Sequence, residues 1–536
     1  MLGGSFLKRY LFTGGKVYTA HSRQPFCEAL ACVGRRVIAV GSKSDVASMT
    51  DHTFERIDLQ GKALVPAFID SHIHFKFYSM CQAAVNLEGA RDPNEAALRV
   101  GKALEGAKPG TWVLGWGWNK NDWPQGKSPN RSYLDAVAPR NPVALFSKDL
   151  HVLWVNTMSL RLAGIGLDTP DPAGGEIARD EGSRQATGVL KESAVDMVAR
   201  VIPEPTFDAV TSAMESGQAE LHRLGIAGIH NMEDALAFGA FQALRNSGRL
   251  KLRVTQAIPR ENLDDAIDLG LGTGFGDEWL KVGPVKLFAD GALGSQTAYL
   301  LTPYEGNEEN SGIAVTPKEE LAELVGRAVL AGLSCSIHAI GNRANRDVLD
   351  IFESVKEESA ARHLRHRIEH AQLLHPEDVR RFADLGVIAS MQPVQILTDI
   401  PIAEKHWGRR SRWAYAFRSL TKAGTTLAFG SDAPVETPDP IRGIYGAVAR
   451  RQLDGTPDSG WYPEERLTVE EAVRAYCVGP AVADGAGHGS GILSPGSYAD
   501  IAILSGDIFA VPATDICDVR VVGTLVGGEF VYRDGV

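Results

Sequence analysis

Ala63-Leu64-Val65-Pro66-Ala67-Phe68-Ile69-Asp70-Ser71-His72-Ile73-His74 is a nearly continuous apolar run that ends in two histidines spaced i and i+2. Such a run reads as a buried strand that points both imidazoles to one side of its own end. Two neutral imidazoles converging there can hold one divalent metal. By itself a His-x-His is more often a pair of ordinary polar residues, so the reading depends on what lies downstream.

Four later segments also read as short apolar strands, and each brings one ligand-type residue to or near its C-terminal end: Lys286, His338, His370 and Asp432. Three further strand-like runs lie around Val143–Asp149, Ala227–Asp234 and Val387–Pro393, bringing the total to eight. Helical patterns with apolar residues at i, i+3 and i+4 lie between many of them, as in Pro317–Ala331, Asn342–Glu357 and Pro376–Leu385. Alternating β and α units of this number predict an α/β fold, a closed (β/α)8 TIM barrel whose chemistry sits at the C-terminal strand ends. The candidate ligands fall at those ends.

The chain termini carry a different pattern. Short β-like runs separated by turn residues occupy residues 10–60 and again 490–536, and neither set is long enough to bury a core alone. One small β-sandwich built from both ends, residues 1–62 with 490–536, is therefore expected around a barrel spanning 63–489. Residues 75–142 and 150–225 are too long for plain βα loops and are expected to be insertions over the barrel mouth.

Composition bounds the function classes. A formal charge of −11, from 55 basic and 66 acidic residues, argues against a nucleic-acid partner. Six scattered cysteines without a CxxC point to reduced thiols. No apolar stretch reaches bilayer length, and residues 1–16 lack the apolar core of a signal peptide, so no membrane partner and a cytoplasmic location are expected.

Longer strings sharpen the picture: Gly-Trp-Asn-Lys-Asn-Asp-Trp (117–123), His-Val-Leu-Trp-Val-Asn (151–156), Thr-Gly-Val-Leu-Lys-Glu (187–192), Lys-Leu-Phe-Ala-Asp-Gly-Ala-Leu-Gly-Ser (286–295), His-Ala-Ile-Gly-Asn-Arg-Ala-Asn (338–345) and Gly-Ser-Asp-Ala-Pro-Val (430–435). With the ligand pattern, they resemble the amidohydrolase superfamily and its N-substituted formamide deformylase-like branch, from about residue 10 to the C-terminus. The resemblance implies a site for two divalent metal ions, expected to be zinc. His72 and His74 would hold one with Asp432, and His338 and His370 the other. An ammonium has no acceptor and cannot ligate a metal. The resemblance therefore implies that Lys286 takes up carbon dioxide to become a bridging carbamate. Glu192, an acceptor without modification, is the rival for that bridge.

The implied activity is metal-dependent hydrolysis of a non-peptide amide C–N bond, in a linear or N-substituted amide, by a water activated between the metals. Asp432 would also move the proton to the leaving amine. His151 is a candidate donor to the substrate carbonyl, and His230, ending the third strand, reads as a packed or supporting residue. Trp118, Trp123 and Trp154, clustered in the insertions, suggest an apolar substrate pocket. The expected partner is a small-molecule amide, with a homodimer left open as the assembly. A deaminase or cyclic-amide hydrolase of the same superfamily and a non-catalytic scaffold are the alternatives; the scaffold should have lost at least one of the six ligands, and none is missing.

Overall fold

Pro66 divides the opening run between two sheets. In the computed structural model, which describes residues 7–120, 123–124, 127–147, 152–172, 175–485 and 489–536, Ala63–Pro66 pairs antiparallel with Ile501–Leu504 and parallel with Lys16–Tyr18. Pro66 has no N–H to donate, which suits the last residue of a ladder. Ala67 N then bonds Asp500 O at 3.0 Å and Phe68 N bonds Gly225 O at 2.9 Å, so the chain leaves one sheet and enters the next within two residues. The expectation of one strand over 63–74 is corrected accordingly.

The second sheet is the barrel. Its strands are β1 (Phe68–Ile73), β2 (Ile226–Asn231), β3 (Arg253–Pro259), β4 (Leu280–Phe288), β5 (Cys335–Ala339), β6 (Arg367–His370), β7 (Ile388–Met391) and β8 (Leu427–Phe429). They are hydrogen-bonded in chain order, every neighbouring pair parallel. Just beyond β8, Asp432 N donates to His72 O at 2.7 Å and His74 N to Ala433 O at 2.9 Å, tying the last strand end to the first. Gly430 permits that approach, because a Cβ there would lie 2.5 Å from His72 N. Helices cover the strands as the periodicity predicts. Lys318–Leu330 buries Leu321, Val325, Ala328 and Val329, and Asn342–Ser354 buries Val348, Leu349, Ile351 and Phe352. The fold is thus the parallel (β/α)8 barrel expected from the sequence.

Two strand assignments change. Val143–Ser147 is not in the barrel: it lies between Val113–Trp118 and Val152–Val155 in a separate six-stranded mixed sheet. A strand covered on both faces reads as a continuous apolar run in any sheet, so composition alone does not place it. The overlooked strand is β3, Arg-Val-Thr-Gln-Ala-Ile-Pro, whose polar residues break the apolar run. Those residues are satisfied inside the barrel: Thr255 Oγ1 donates to Asp484 at 2.5 Å, and Gln256 accepts from Asn231 Nδ2 at 2.9 Å. His230 accordingly lies on the second strand, not the third.

The chain separates into two units, Met1–Phe75 with Glu215–Val536, and Lys76–Met214. In the first, strands from both chain ends form a four-stranded and a six-stranded sheet, with Phe12, Val17, Leu30, Leu64, Ile501 and Leu525 sharing one core. The second is one continuous insertion between β1 and β2, rather than two loops flanking a barrel strand. Its sheet is built from Val85–Asn86, Val113–Trp118, Val143–Ser147, Val152–Val155, Gly175–Arg179 and Ala186–Glu192. No helix among the described residues is long and apolar enough to cross a membrane.

Candidate metal centre

The pleat of β1 puts His72 and His74 on one face, because residues two apart in an extended strand point the same way. Lys286 and Phe288 share a face of β4, and Ser336 and His338 a face of β5, for the same reason. β6 is different. Glu369 already points inward, so regular alternation would send the next residue outward. His370 instead adopts φ +71°, leaving the strand in a left-handed conformation that re-aims its imidazole. Asp432 does likewise just past β8, at φ +63°. Two non-glycine residues held in this sparsely populated region at one barrel end mark a place where geometry outweighs local backbone preference.

The side chains converge. His72, His74 and Asp432 each offer one ligand atom, all within 4.8 Å of one another. Asp432 Oδ1 lies 3.4 Å from His72 Nε2 and 3.3 Å from His74 Nε2. A tetrahedral ion with bonds of about 2.0–2.1 Å has edges of about 3.3 Å, so these spacings fit a zinc-like ion. The His370 ring centre is 5.0 Å from that of His72 and 4.5 Å from that of His338. Lys286 Nζ is buried, has no hydrogen-bond partner among the described residues, and sits 4.3 Å from the Phe288 ring centre.

The buried His72 and His370 and the largely covered His338 each have their other nitrogen tied down. His72 Nδ1 lies 2.5 Å from Glu369 Oε2, His370 Nδ1 lies 2.8 Å from Gln392 Oε1, and His338 Nε2 lies 2.9 Å from the Gly291 carbonyl. These partners are acceptors, so the histidine nitrogens facing them carry the protons. The lone pairs are left on His72 Nε2, His370 Nε2 and His338 Nδ1, the tautomers that metal binding requires. Burial reinforces this by disfavouring the imidazolium: it lowers His72, pushes His370 down to about 3 and holds His338 well below its ordinary value. Burial also pushes Lys286 down to about 8. It would raise Asp432, but the His74, His72 and His370 rings outweigh it and hold that carboxyl below the usual range.

Beneath the histidines runs a buried polar chain that sequence reasoning missed. Arg367 bonds both oxygens of Glu369, donates to Ser390 Oγ at 2.9 Å, and lies 2.6 Å from His230 Nδ1. His230 Nε2 in turn lies 3.0 Å from Asp484 Oδ1, and Lys281 Nζ 2.9 Å from Asp484 Oδ2. Burial alone would raise Glu369, yet Arg367 and His72 keep it well below its ordinary value, so it is an anion. The signal was an Arg-x-Glu pair immediately before the candidate ligand His370, two charges too costly to bury without a task. Its task here is to orient His72. Glu369→Gln should weaken divalent-metal retention by about 10–100-fold in chelator competition while Glu369→Asp recovers part of it.

A cavity of about 370 Å³ is lined by His72, His74, Lys286, His338, His370 and Asp432, so the six sequence candidates face one space. Glu192, the rival bridge, is an exposed residue ending a strand of the insertion unit. His151 lies outside the described residues. The three tryptophans lie in the insertion unit. Trp118, Trp123 and Trp154 pack on one another with ring centres 5.7–6.1 Å apart, in the insertion's own core with Leu87, Leu134 and Leu145. An insertion of this length needs such a core, and large aromatic rings supply it. Trp118 borders a cavity of about 490 Å³ within that unit.

Comparison with known proteins agrees with the geometry. The chain is 34% identical over 536 residues to the Protein LONG AFTER FAR-RED 3 of Arabidopsis thaliana, covering 97% of this chain and 91% of that protein. It is 27% identical to the N-substituted formamide deformylase of Arthrobacter pascens, covering 98% and 99%. The crystal structure of an uncharacterized metal-dependent hydrolase from Pyrococcus furiosus superposes with a TM-score of 0.77 at 31% identity, covering 94% of this chain and all of that one. The family model described as Amidohydrolase family matches residues 55–532, and a barrel whose strand ends gather four histidines, a lysine and an aspartate is consistent with it: the chain belongs to the amidohydrolase family and is a hydrolase of that family.

Proposed function

We propose that this hydrolase cleaves the C–N bond of linear or N-substituted non-peptide amides, using two divalent ions held by His72, His74, Lys286, His338, His370 and Asp432. The observation that carries the reading is the set of buried imidazoles whose far nitrogens are all tied to acceptors, grouped around an amine that has none. A donor set so rich in imidazole suits zinc. When bound, the ions supply Lewis acidity and lower the pKa of a water toward about 7.

The remaining roles belong to the chain. The Lys286 amine has no hydrogen-bond acceptor among the described residues, which supports its use as a carbamate: its nitrogen adds to the carbon of carbon dioxide, one proton leaves, and the product is an anion with two acceptor oxygens. Glu369, Gln392 and the Gly291 carbonyl hold the imidazoles in one tautomer. Asp432 accepts a proton from the attacking water and delivers it to the departing amine nitrogen. The deformylase resemblance favours open-chain secondary amides, which release a primary amine, over ring amides.

Elemental analysis of protein purified without chelators should give about two divalent ions per chain. Kinetics on a panel of formamides, acyl amides, ureas and cyclic imides should show turnover among the first two classes. Turnover confined to cyclic imides or to amine release from a heterocycle would overturn the amide assignment, and an active preparation free of metal would overturn the mechanism.

A further inference from the structure

One buried carboxylate beside the candidate site is not among its ligands. Asp290 lies two residues beyond β4, is 2% exposed, and pairs with no lysine or arginine among the described residues. Its oxygens accept three main-chain N–H groups: Ile340 at 2.9 Å on Oδ1, and Gly341 at 2.7 Å and Tyr299 at 2.8 Å on Oδ2. Ile340 and Gly341 leave the end of β5, whereas Tyr299 belongs to the loop that begins at Asp290 itself. The two segments meet too closely for side chains. A Cβ at Gly341 would lie 2.0 Å from Tyr299 O, and one at Gly291 2.1 Å from Thr297 Oγ1. Gly291 N donates to Thr297 O at 3.3 Å, and Thr297 Oγ1 accepts from Ala292 N at 2.9 Å. Gly291 is therefore held from both sides, and its carbonyl is the acceptor 2.9 Å from His338 Nε2.

We infer that Asp290 is a positioning residue for the His338 side of the centre: through the Gly291 carbonyl it fixes the His338 ring with its lone pair on Nδ1, and so sets the affinity of the second ion without touching it. The inference rests on the two-ion reading of the site. Glu369 performs this task for His72 by direct contact, and Asp290 performs it for His338 through one peptide carbonyl. Three N–H donors converging on two oxygens require a side chain that only accepts; an amide presents a donor in place of one oxygen and cannot satisfy all three. Asp290 Oδ1 also lies 3.6 Å from His338 Nε2, beyond hydrogen-bond range but adding a second acceptor on the side where the proton sits. Burial pushes the Asp290 carboxyl up to about 7 against these donors. The clamp does not turn on that charge, because both oxygens keep acceptor lone pairs in either state.

The test compares full-length wild type with Asp290→Asn and with the milder Thr297→Val, which keeps the side-chain shape and removes the acceptor for Ala292 N. Metal-free protein labelled with 15N-histidine is measured first, the His338 ring signals being assigned by their loss in His338→Asn. His338 should be the Nε2–H tautomer in the wild type and a mixture of both tautomers in Asp290→Asn, with Thr297→Val between them and His72 unchanged in all three. Zinc-loaded protein is then challenged with a chelator. Asp290→Asn should hold the second ion about 10–100-fold more weakly, so that about one ion per chain survives a challenge that leaves about two in the wild type. A residue that only closes a loop would lower the thermal midpoint and leave the tautomer and the ratio of the two ions as they were. His338 signals unchanged in both variants, or both ions weakened equally, overturns the inference; should Asp290→Asn not fold, Thr297→Val decides by the same readings. A His338 ring that responds to both changes in a wild type holding no second ion would leave the positioning role standing and remove the two-ion reading instead.

Discussion

Lys286→Ala should give a folded protein that neither retains two divalent ions nor turns over amides. In the wild-type protein the amine is buried and lacks a hydrogen-bond partner among the described residues, so in its unmodified form its desolvation cost is offset only by the Phe288 ring and by the charges of Glu369 and Asp432. Its removal should therefore shift the thermal midpoint of the metal-free protein little, since the side chain borders an open cavity rather than a sealed core. A lysine kept for packing or for a salt bridge would behave in the opposite way, losing stability and sparing metal content. Metal retention should fall because the donors left in the candidate ligand set are four imidazoles and a single carboxylate. Millimolar acetate or propionate should restore part of the metal content and of the activity in Lys286→Ala, and should do nothing for the wild type. Wild-type turnover in Lys286→Ala would end the carbamate proposal and return attention to Glu192.

The sequence made the barrel legible through strand ends rather than through strands. His72, Lys286, His338, His370 and Asp432 each stand at or near the end of an apolar run, and that recurrence announced a (β/α)8 architecture even though one of the eight strands counted was wrong. Val143–Ser147 deceived because burial on both faces gives the same apolar string in an insertion sheet as in a barrel, and pairing partners are not local information. β3 was hidden for the converse reason: Thr255 and Gln256 are polar residues satisfied by Asp484 and Asn231, which lie far away in sequence. The same non-locality concealed Glu369 and Arg367, whose pairing is local but whose service to His72 spans almost 300 residues. For the tryptophans the clustering was visible in the sequence and the packing of their rings on one another was not. Asp290 carried no signal of its own, since an aspartate before a glycine ordinarily marks a turn until main-chain donors from Tyr299, Ile340 and Gly341 are seen to converge on it.

Asp432→Asn should lower kcat by at least about two orders of magnitude, the scale of losing a positioned acid–base group, while changing KM little. The carboxylate lies within 3.3–3.4 Å of two imidazole nitrogens that would share its metal ion, and it is held ionised by the surrounding histidines against the effect of burial. Asparagine preserves size and one carbonyl oxygen, so a ligand contact can persist; the amide cannot take up a proton from the attacking water or carry one to the leaving nitrogen. The backbone supports a clean comparison, because position 432 has φ +63° and asparagine is among the few residues that tolerate that region. Metal content must be measured on the same samples, with kcat expressed per occupied site, which separates a lost proton carrier from a lost ligand. Amides with better leaving groups, such as anilides, should be affected less than alkylamides, because an aniline nitrogen needs less protonation to depart. An equal loss for both leaving groups at full metal occupancy would show that Asp432 does not deliver the proton to the leaving nitrogen, and an effect on KM alone would remove it from the chemistry altogether.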